Sequence, residues 1–136
     1  MSDRLNASTG RPTTGATVYV VDDDYDVRRS LRFLLEMDGF RVRTFSSAEF
    51  LLDFEGRNDS DCLIIDYKMQ PMDGLELTKR LRGIGINTPV ILITGFPDES
   101  ISKKAHAIGI SRVLIKPHLD ENIAANVRDT LKLPPR

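Results

Sequence analysis

Five side chains with metal-binding or phosphoryl-transfer chemistry stand directly after short apolar runs. They are the carboxylates of Asp22, Asp23 and Asp66, the hydroxyl of Thr94 and the ammonium of Lys116. A short apolar run bounded by turn residues is typical of a strand buried on both faces. In open α/β sheets, ligands bind at the carboxyl ends of the strands. These five side chains are therefore candidates for one shared site.

The three carboxylates predict a cation between them. Carboxylates a few ångströms apart repel one another, and one of them takes up a proton unless the charge is compensated. Lys116 alone cannot compensate all three. Mg²⁺ prefers oxygen ligands and is commonly held by one or two carboxylates together with phosphate. Because the set contains no His or Cys, a softer metal is disfavoured. We therefore expect Mg²⁺ at Asp22, Asp23 and Asp66.

The same residues suit phosphoryl transfer to a carboxylate. A carboxylate can attack a phosphoryl group to form an aspartyl phosphate, and such a transfer depends mainly on positioning and charge neutralisation. Mg²⁺ would bridge Asp23, Asp66 and a phosphoryl oxygen. Lys116 would pair with a second oxygen, and the Thr94 hydroxyl would donate to a third. Gly95 would leave room for the phosphodonor.

Alternating patterns in the sequence indicate the elements that position these residues. Period-2 or continuous apolar runs predict strands over 17–21, 40–44, 62–66, 89–94 and 113–115. Apolar residues at helical spacing predict helices over 25–37, from Ser46 or Ser47 through about 55, over 74–82, after Pro97-Asp98, and over about 120–131. Phe50, Leu51 and Phe54 are expected on the inner face of the second helix. Strand two is expected near an edge, and the other four central or well covered.

Five successive β-α units predict an α/β fold with a parallel sheet, helices on both faces and right-handed crossovers. The pattern fits the flavodoxin-like (βα)5 sandwich with strand order 2-1-3-4-5. That order places the switch point, and hence the crevice, between the strands that end at Asp22-Asp23 and at Asp66.

Composition limits the classes of function. The chain has 136 residues, which suits one domain, and a formal charge of −1, which gives no general attraction to nucleic acid or membrane. The single cysteine, Cys62, excludes an internal disulfide. No basic helix-turn-helix segment, signal peptide or membrane-spanning run is found, so the cytoplasm is the expected compartment. We predict a flexible tail over 1–16, one domain over 17–132 and a short tail over 133–136.

The chain resembles the receiver domains of bacterial two-component response regulators over roughly 17–132. The resemblance depends on several motifs that occur in order at predicted strand ends: Asp22-Asp23, Asp66, Met69, Gly74, Thr94-Gly95 and Lys116-Pro117. Each motif is weak alone, and their combination is specific.

The resemblance implies roles for these residues. Asp66 would be the phosphoacceptor, with a phosphohistidine of a sensor histidine kinase or phosphotransfer protein as donor. Asp23, Asp66 and the backbone carbonyl of Lys68 would ligate Mg²⁺ directly, and Asp22 would act through water. The Lys116-Pro117 bond would be cis. Output would use protein contacts on the face of the fourth helix, fifth strand and fifth helix, including homodimerisation. The domain would catalyse only its own phosphorylation and dephosphorylation.

Two positions depart from the family pattern. Gln70 stands where most receivers have Pro, with Pro71 one residue later, and Val113 stands where many have Tyr or Phe. The aromatic switch that usually accompanies the Thr94 counterpart is therefore missing. Lys68 and Phe96 are expected to border the path of an attacking water. We hypothesise that this bulky pair slows dephosphorylation.

Two other classes of function remain as alternatives. A receiver-like adaptor that binds partners independently of phosphorylation is favoured slightly by Val113 and Gln70, and the intact acidic set argues against it. An enzyme on the same fold is disfavoured. Three Asp residues stand where a flavin-binding protein needs a phosphate cradle, and Lys68 stands where a haloacid-dehalogenase-type phosphatase carries its second Asp. Both a single-domain regulator and part of a longer one fit the sequence.

Overall fold

A parallel five-stranded sheet lies between two layers of helices in the computed structural model, which describes residues 14–96, 98–116 and 122–135. The strands and helices alternate along the chain: β1 (Thr17–Val21), α1 (Tyr25–Met37), β2 (Arg41–Phe45), α2 (Ala48–Asp53), β3 (Cys62–Asp66), α3 (Gly74–Gly83), β4 (Val90–Thr94), α4 (Glu99–Ala107), β5 (Arg112–Ile115) and α5 (Ile123–Thr130).

The strand order is β2-β1-β3-β4-β5, with all neighbours parallel, so the predicted fold and order are confirmed. Val21 at the end of β1 pairs in register with Ile65 of β3. This register brings the residues that follow Val21 to the same edge of the sheet as Asp66. The central strands β1, β3 and β4 are buried almost throughout, as their apolar sequences predict.

Successive residues of the strands point to opposite faces and so form two cores. One face is covered by α1 and α5, and the other by α2, α3 and α4. The first core contains Val18, Val20, Cys62, Ile64, Ile91 and Ile93 with Leu31, Leu35, Ile123 and Val127. The second contains Val21, Leu63, Ile65 and Leu92 with Leu51, Leu77, Leu81, Ile101 and Ala105. Full burial of one such Leu or Ile contributes about 1.5–3 kcal/mol, so the sheet is a rigid platform for its carboxyl edge.

The first helix begins directly beside the acidic pair. Asp24 is its N-cap, and its carboxylate accepts hydrogen bonds from the backbone N–H of Asp26 at 2.8 Å and of Val27 at 3.2 Å. A carboxylate suits this position because the first N–H groups of a helix lack intrahelical partners. After the helix, Gly39 takes φ +95°, which a residue with a side chain adopts at a cost. Asp24 and Gly39 thus mark the two ends of this helix.

The second helix is shorter than predicted, and one of its predicted core residues is outside. It spans only Ala48–Asp53, with Ser47 as its N-cap. Leu51 is fully buried, but the Phe50 side chain is 63% exposed. A helix turns about 100° per residue. Phe50, the neighbour of the fully buried Leu51, therefore lies on the side of this short helix and not on its inner face. Phe54 ends the helix and packs its ring against those of Tyr19 and Phe45.

The fifth strand is less covered than predicted. Val113 and Leu114 are half-buried, and Ile115 is 38% exposed. β5 lies at an edge of the sheet, where β4 is its single neighbour, so its apolar side chains have fewer contacts than those of the central strands. The expectation of an edge position for strand two is confirmed, since β2 stands at the end of the strand order, with β1 as its single neighbour.

The described residues nearest the two termini contact the rest of the domain. Thr14 N–H donates to the Gly39 carbonyl at 3.0 Å, and Leu133 packs against the core on the α1 and α5 face. The predicted domain limits stay predictions. Pro117, with its predicted cis bond, and the predicted start of the last helix near residue 120 lie outside the described residues.

Candidate functional site

Three carboxylates converge at the carboxyl edge of the sheet, as predicted. Asp22, Asp23 and Asp66 each present an oxygen, and these oxygens all lie within 4.8 Å of one another. Asp22 and Asp66 are buried, whereas Asp23 is exposed. The cluster therefore has two fixed carboxylates at its base and one that reaches solvent.

Backbone contacts hold Asp22 in place. Its N–H donates to the Phe45 carbonyl at 3.1 Å, and one carboxylate oxygen accepts from the Asp24 N–H at 2.9 Å. The guanidinium of Arg28, on α1, donates to the Asp22 carbonyl at 2.9 Å. No sequence pattern indicates the Arg28 contact, because a charged residue at this position is equally typical of the exposed side of a helix.

Lys116 brings the one ammonium that contacts these carboxylates in the described part of the chain. Its Nζ lies 3.4 Å from a carboxylate oxygen of Asp22 and 3.3 Å from one of Asp66. The Lys116 N–H donates to the Thr94 carbonyl at 2.8 Å, which fixes the end of β5 against the end of β4. Lys116 therefore lies beside Asp22 and Asp66 at the ends of their strands, as predicted.

The electrostatics of the cluster favour uptake of positive charge. Burial, reinforced by the charge of Asp22 and opposed by Lys116, raises the pKa of Asp66 to about 6. Burial also raises the pKa of Asp22, against the lowering effects of the Asp24 N–H and Lys116. Burial alone would lower the pKa of Lys116, but the two carboxylates raise it above its ordinary value. A single ammonium thus leaves the carboxylates incompletely compensated.

The donor set fits Mg²⁺. All three side chains offer carboxylate oxygens, two of them buried, and the incomplete compensation by Lys116 leaves room for a second positive charge. Asp22, Asp23 and Asp66 would hold the ion. The role of the Lys68 carbonyl as a further ligand stays a prediction.

Thr94 lies at the end of β4, next to the end of β3, where Asp66 pairs with Ile93. Its side chain is buried, and its hydroxyl oxygen accepts from the Phe96 N–H at 3.2 Å. The hydroxyl also lies 3.4 Å from the Phe96 carbonyl, to which it donates. No atom lies within 4 Å of the place a Cβ would take at Gly95, in agreement with the predicted open space.

Gly74 packs directly beneath the phosphoacceptor candidate. A Cβ at this position would lie 2.5 Å from the Asp66 carbonyl oxygen and 2.8 Å from Leu92 Cδ1. The Gly74 N–H also donates to the Tyr67 carbonyl at 2.9 Å. Close approach of backbone to backbone is a common reason for glycine. Here glycine lets the start of α3 pack directly against the backbone of Asp66.

Comparison with known proteins decides the family. The family model described as the response regulator receiver domain matches residues 18–128. The chain belongs to the response regulator receiver domain family. It is therefore a module of two-component signalling, and receiver domains are signalling proteins that bind Mg²⁺ at an acidic pocket of this kind.

Relatives and solved structures agree with this assignment. The chain is 36% identical over 121 residues to the response regulator protein TmoT of Ectopseudomonas mendocina, covering 89% of this chain and 55% of TmoT. It is 40% identical over 114 residues to the transcriptional regulatory protein FixJ of Azorhizobium caulinodans, covering 84% and 54%. The chain thus spans about half the length of the curated relatives it matches.

Among solved structures, the receiver domain of the Francisella response regulator 1452 superposes with a TM-score of 0.80 at 26% identity, covering 87% of this chain and 98% of that one. Full-length FixJ from B. japonicum superposes with a TM-score of 0.78 at 33% identity, covering 88% and 59%. Within the residues that the structure describes, no helix is long and apolar enough to cross a membrane.

Two of this receiver domain's departures from the family pattern lie on the side of the site that faces α3 and α4. Val113 is half-buried and packs against the core beneath α4. In the loop after β3, the Gln70-Pro71 peptide bond is cis, and Met69 and Met72 are buried on either side of it. Both methionines therefore contribute to packing.

Lys68 and Phe96 form a contact at the rim of the receiver's site. The Lys68 ammonium lies 5.6 Å from the centre of the Phe96 ring, within the range of a cation–π interaction. The Phe96 side chain is 59% exposed. The two residues line a groove of about 470 Å³ between the loop after β3 and the start of α4. Sequence spacing predicted that both border the site, but it did not predict their contact with each other.

Proposed function

We propose that Asp66 accepts a phosphoryl group from a phosphohistidine of a sensor histidine kinase or phosphotransfer protein, in a Mg²⁺-dependent reaction that changes the protein contacts of this domain. The observation that carries the proposal is the position of Asp66. It is a buried carboxylate at the open edge of the sheet, beside a second buried carboxylate and 3.3 Å from an ammonium.

The transfer forms one bond and breaks another. An Asp66 carboxylate oxygen attacks phosphorus, and the bond from phosphorus to the donor imidazole nitrogen breaks with its electron pair on the nitrogen, which takes a proton from solvent. The ionised form of Asp66 is the effective nucleophile, because protonation removes the negative charge of the attacking oxygen. Mg²⁺, when bound by Asp22, Asp23 and Asp66, supplies positive charge to the phosphoryl oxygens and favours this ionised form.

The chain's own cation and hydroxyl complete the charge compensation. Lys116 pairs with the carboxylates before transfer and with a phosphoryl oxygen after it, when one Asp66 oxygen has become part of the acyl phosphate. Thr94 donates its hydroxyl proton to another phosphoryl oxygen. Preorganised donors of this kind stabilise charge that develops in the transition state. Hydrolysis of the acyl phosphate by water returns Asp66 to its original state, so the domain acts on its own phosphoryl group.

The test is intact-protein mass spectrometry after incubation with acetyl phosphate and Mg²⁺. We expect one added phosphoryl mass, its loss in Asp66→Asn, and its retention in Asp53→Asn, which changes an exposed carboxylate on α2 in the same way. Omission of Mg²⁺ should also abolish the added mass. Absence of phosphoryl mass in the wild-type protein, or its persistence in Asp66→Asn, contradicts the proposal.

Output contacts on the face of α4, β5 and α5, including homodimerisation, are part of the proposal. β5 is an edge strand with Ile115 exposed, and Arg112 on β5 pairs with Asp129 on α5. Scattering or native mass measurements with and without acetyl phosphate test this point. An unchanged assembly, together with a full phosphoryl mass, would exclude phosphorylation-dependent dimerisation by this domain.

A phosphorylation-independent adaptor is the second candidate. Val113 favours it, because the aromatic side chain that many receivers use in output is missing at this position. For an adaptor, Asp66→Asn should leave binding to a partner unchanged. For a phosphorylation-dependent receiver, the same variant should lose the part of binding that acetyl phosphate induces.

A further inference from the structure

Phe96 is held from two sides by residues that border the acceptor carboxylate. Its backbone N–H and carbonyl both contact the Thr94 hydroxyl, at 3.2 and 3.4 Å, and its ring lies under the ammonium of Lys68. Gly95, the single residue between Thr94 and Phe96, has no atom near its missing side chain. Thr94 and Lys68, which both contact Phe96, are thus groups whose surroundings change when charge is added at Asp66.

The Thr94 hydroxyl cannot serve Phe96 and a phosphoryl group in the same way. A hydroxyl has one proton to donate, and Thr94 now donates it to the Phe96 carbonyl. When the hydroxyl donates to a phosphoryl oxygen instead, the Phe96 carbonyl loses this donor. Rotation of the Thr94 side chain also changes the direction in which its oxygen accepts from the Phe96 N–H.

Phosphorylation of Asp66 also weakens the cation–π contact between the Lys68 ammonium and the Phe96 ring. A phosphoryl group carries close to two negative charges at neutral pH. An exposed cation–π contact is a weak interaction, and attraction of the ammonium toward a nearby dianion competes with it. Lys68 stands two residues after Asp66, in the loop that borders the site.

Because position 113 is Val, an aromatic side chain on β5 is not available to pass on the change at Asp66. It is half-buried against the core under α4 and has no ring to turn inward. Phe96, by contrast, has its side chain 59% exposed. It lines the 470 Å³ groove whose other walls include Lys68, Gln70, Pro71, Asp98 and Ile101. A movement of the Phe96 ring therefore changes the shape of a surface that a protein partner can contact.

We infer that Phe96 reports the phosphorylation state of Asp66 at the surface of this domain. In the unphosphorylated state, Thr94 and Lys68 hold it over the groove. Phosphorylation draws both of these groups away, and the ring leaves its place and reshapes the groove. The inference depends on the proposed phosphorylation of Asp66 and adds the residue through which that event is passed on.

Fluorine NMR of protein labelled with 4-fluorophenylalanine tests the inference. The chain has six phenylalanines, and the Phe96 signal is assigned by its loss in Phe96→Leu. On addition of acetyl phosphate and Mg²⁺, we expect the Phe96 signal to move by more than its linewidth. Phe33 and Phe50, whose side chains are 61% and 63% exposed on other helices, serve as matched controls and should not move.

Intact mass, measured on the same samples, separates the two proposals. A full phosphoryl mass with an unmoved Phe96 signal overturns the inference and leaves the proposed function standing. No phosphoryl mass overturns both.

A second arm needs no phosphorylation. Thr94→Val keeps the side-chain shape and removes the hydroxyl, so it should move the Phe96 signal in the resting protein, whereas Thr94→Ser should leave it near its wild-type position. A Phe96 signal that is the same in Thr94→Val and wild type also overturns the inference.

Discussion

The Lys116 ammonium lies 3.3 Å from a carboxylate oxygen of Asp66, and yet the pKa of Asp66 is raised to about 6. Burial and the neighbouring charge of Asp22 outweigh the attraction of the lysine. Asp66 is therefore mostly ionised at pH 7 and becomes protonated as the pH falls toward 6 and below. Additional positive charge beside Asp66 would keep it ionised over that range.

The rate of phosphorylation should depend on pH through this group. At low Mg²⁺, labelling by acetyl phosphate should fall as the pH is lowered, with half of the rate lost near pH 6, because protonated Asp66 cannot attack. At saturating Mg²⁺, the midpoint should move to lower pH, since a bound cation favours the carboxylate. Initial rates from intact mass at several pH values measure both. A midpoint that does not respond to Mg²⁺ would argue against binding of the ion at Asp66.

The free energy of unfolding should also depend on pH through Asp66, and it should fall as the pH rises. The folded pKa of Asp66, about 6, lies above the unfolded value, so the folded state binds more protons between about pH 4 and 6 and loses stability as the pH rises through that window. Two pKa units correspond to about 3 kcal/mol. Asp66→Asn should therefore raise the free energy of unfolding at pH 7 without metal, by about 1–3 kcal/mol, and should have little effect at pH 4.

Urea unfolding at the two pH values tests the predicted change. Asp53→Asn, at an exposed position, is the control and should stay within about 0.5 kcal/mol of wild type. Mg²⁺ should stabilise the wild type more than Asp66→Asn. A destabilised Asp66→Asn at pH 7 would mean that the pairing with Lys116 outweighs burial.

Gly74 and Gly83 offer a matched pair of substitutions at the two ends of α3. A Cβ at Gly74 would meet the Asp66 carbonyl oxygen at 2.5 Å, whereas at Gly83 no atom lies within 4 Å. Gly74→Ala should therefore destabilise the fold by about 1–3 kcal/mol, as overpacking does, and should slow labelling of Asp66. Gly83→Ala should stabilise by up to about 1 kcal/mol through helix propensity. Thermal unfolding and acetyl phosphate labelling measure both. Normal labelling in a destabilised Gly74→Ala would show that Gly74 serves the fold alone.

The residues at the strand ends could be predicted from the sequence because each strand is defined by a short run of neighbouring residues. Apolar runs bounded by turns place Asp22, Asp66 and Lys116 at the carboxyl edge whatever the surrounding loops do, and the β-α alternation determines which strands are neighbours. The exposure of Phe50 could not be predicted in this way, since it depends on how early α2 ends. The hold of Thr94 on the Phe96 backbone depends on a loop geometry that no residue pattern specifies.

The Lys68 and Phe96 pair should slow loss of the phosphoryl group. Both side chains line the groove beside Asp66, and Lys68 is drawn further toward the site when the phosphoryl group is present, so trimming both side chains to alanine should open the path of the attacking water. If the pair contributes about 1 kcal/mol to the barrier, hydrolysis becomes roughly fivefold faster without it. Decay of the phosphoryl mass after removal of acetyl phosphate gives the rate. Phe50→Ala, which removes an equally exposed ring on α2, is the control. An unchanged lifetime in the double variant would rule out the shielding role.

Arg128 of α5 should be the most costly charged residue to remove away from the acidic cluster. It forms a half-buried ion pair with Asp38, donates to the Asp38 and Pro134 carbonyls at 2.8 and 2.9 Å, and lies 5.5 Å from the Phe40 ring centre. Removal of one partner costs about 3–5 kcal/mol for a fully buried pair and about 0.2–1 kcal/mol for an exposed one. Arg128→Met, which keeps much of the apolar volume, should therefore lower the free energy of unfolding by about 2 kcal/mol, between these limits.

Arg32 on α1 provides the comparison for Arg128. It pairs with Glu36 one helical turn away at 3.2 Å, and both side chains are largely exposed. Pairs of this kind contribute about 0.3–0.5 kcal/mol, so Arg32→Met should hardly move the urea midpoint. Since the substitution is the same, the difference between the two variants measures the burial of the Arg128 pair together with its carbonyl and ring contacts. Equal and small effects would mean that solvent reaches the pair of Arg128 and Asp38, and that the contact between α5 and the end of α1 depends on the apolar residues Leu35, Val127 and Leu133 instead.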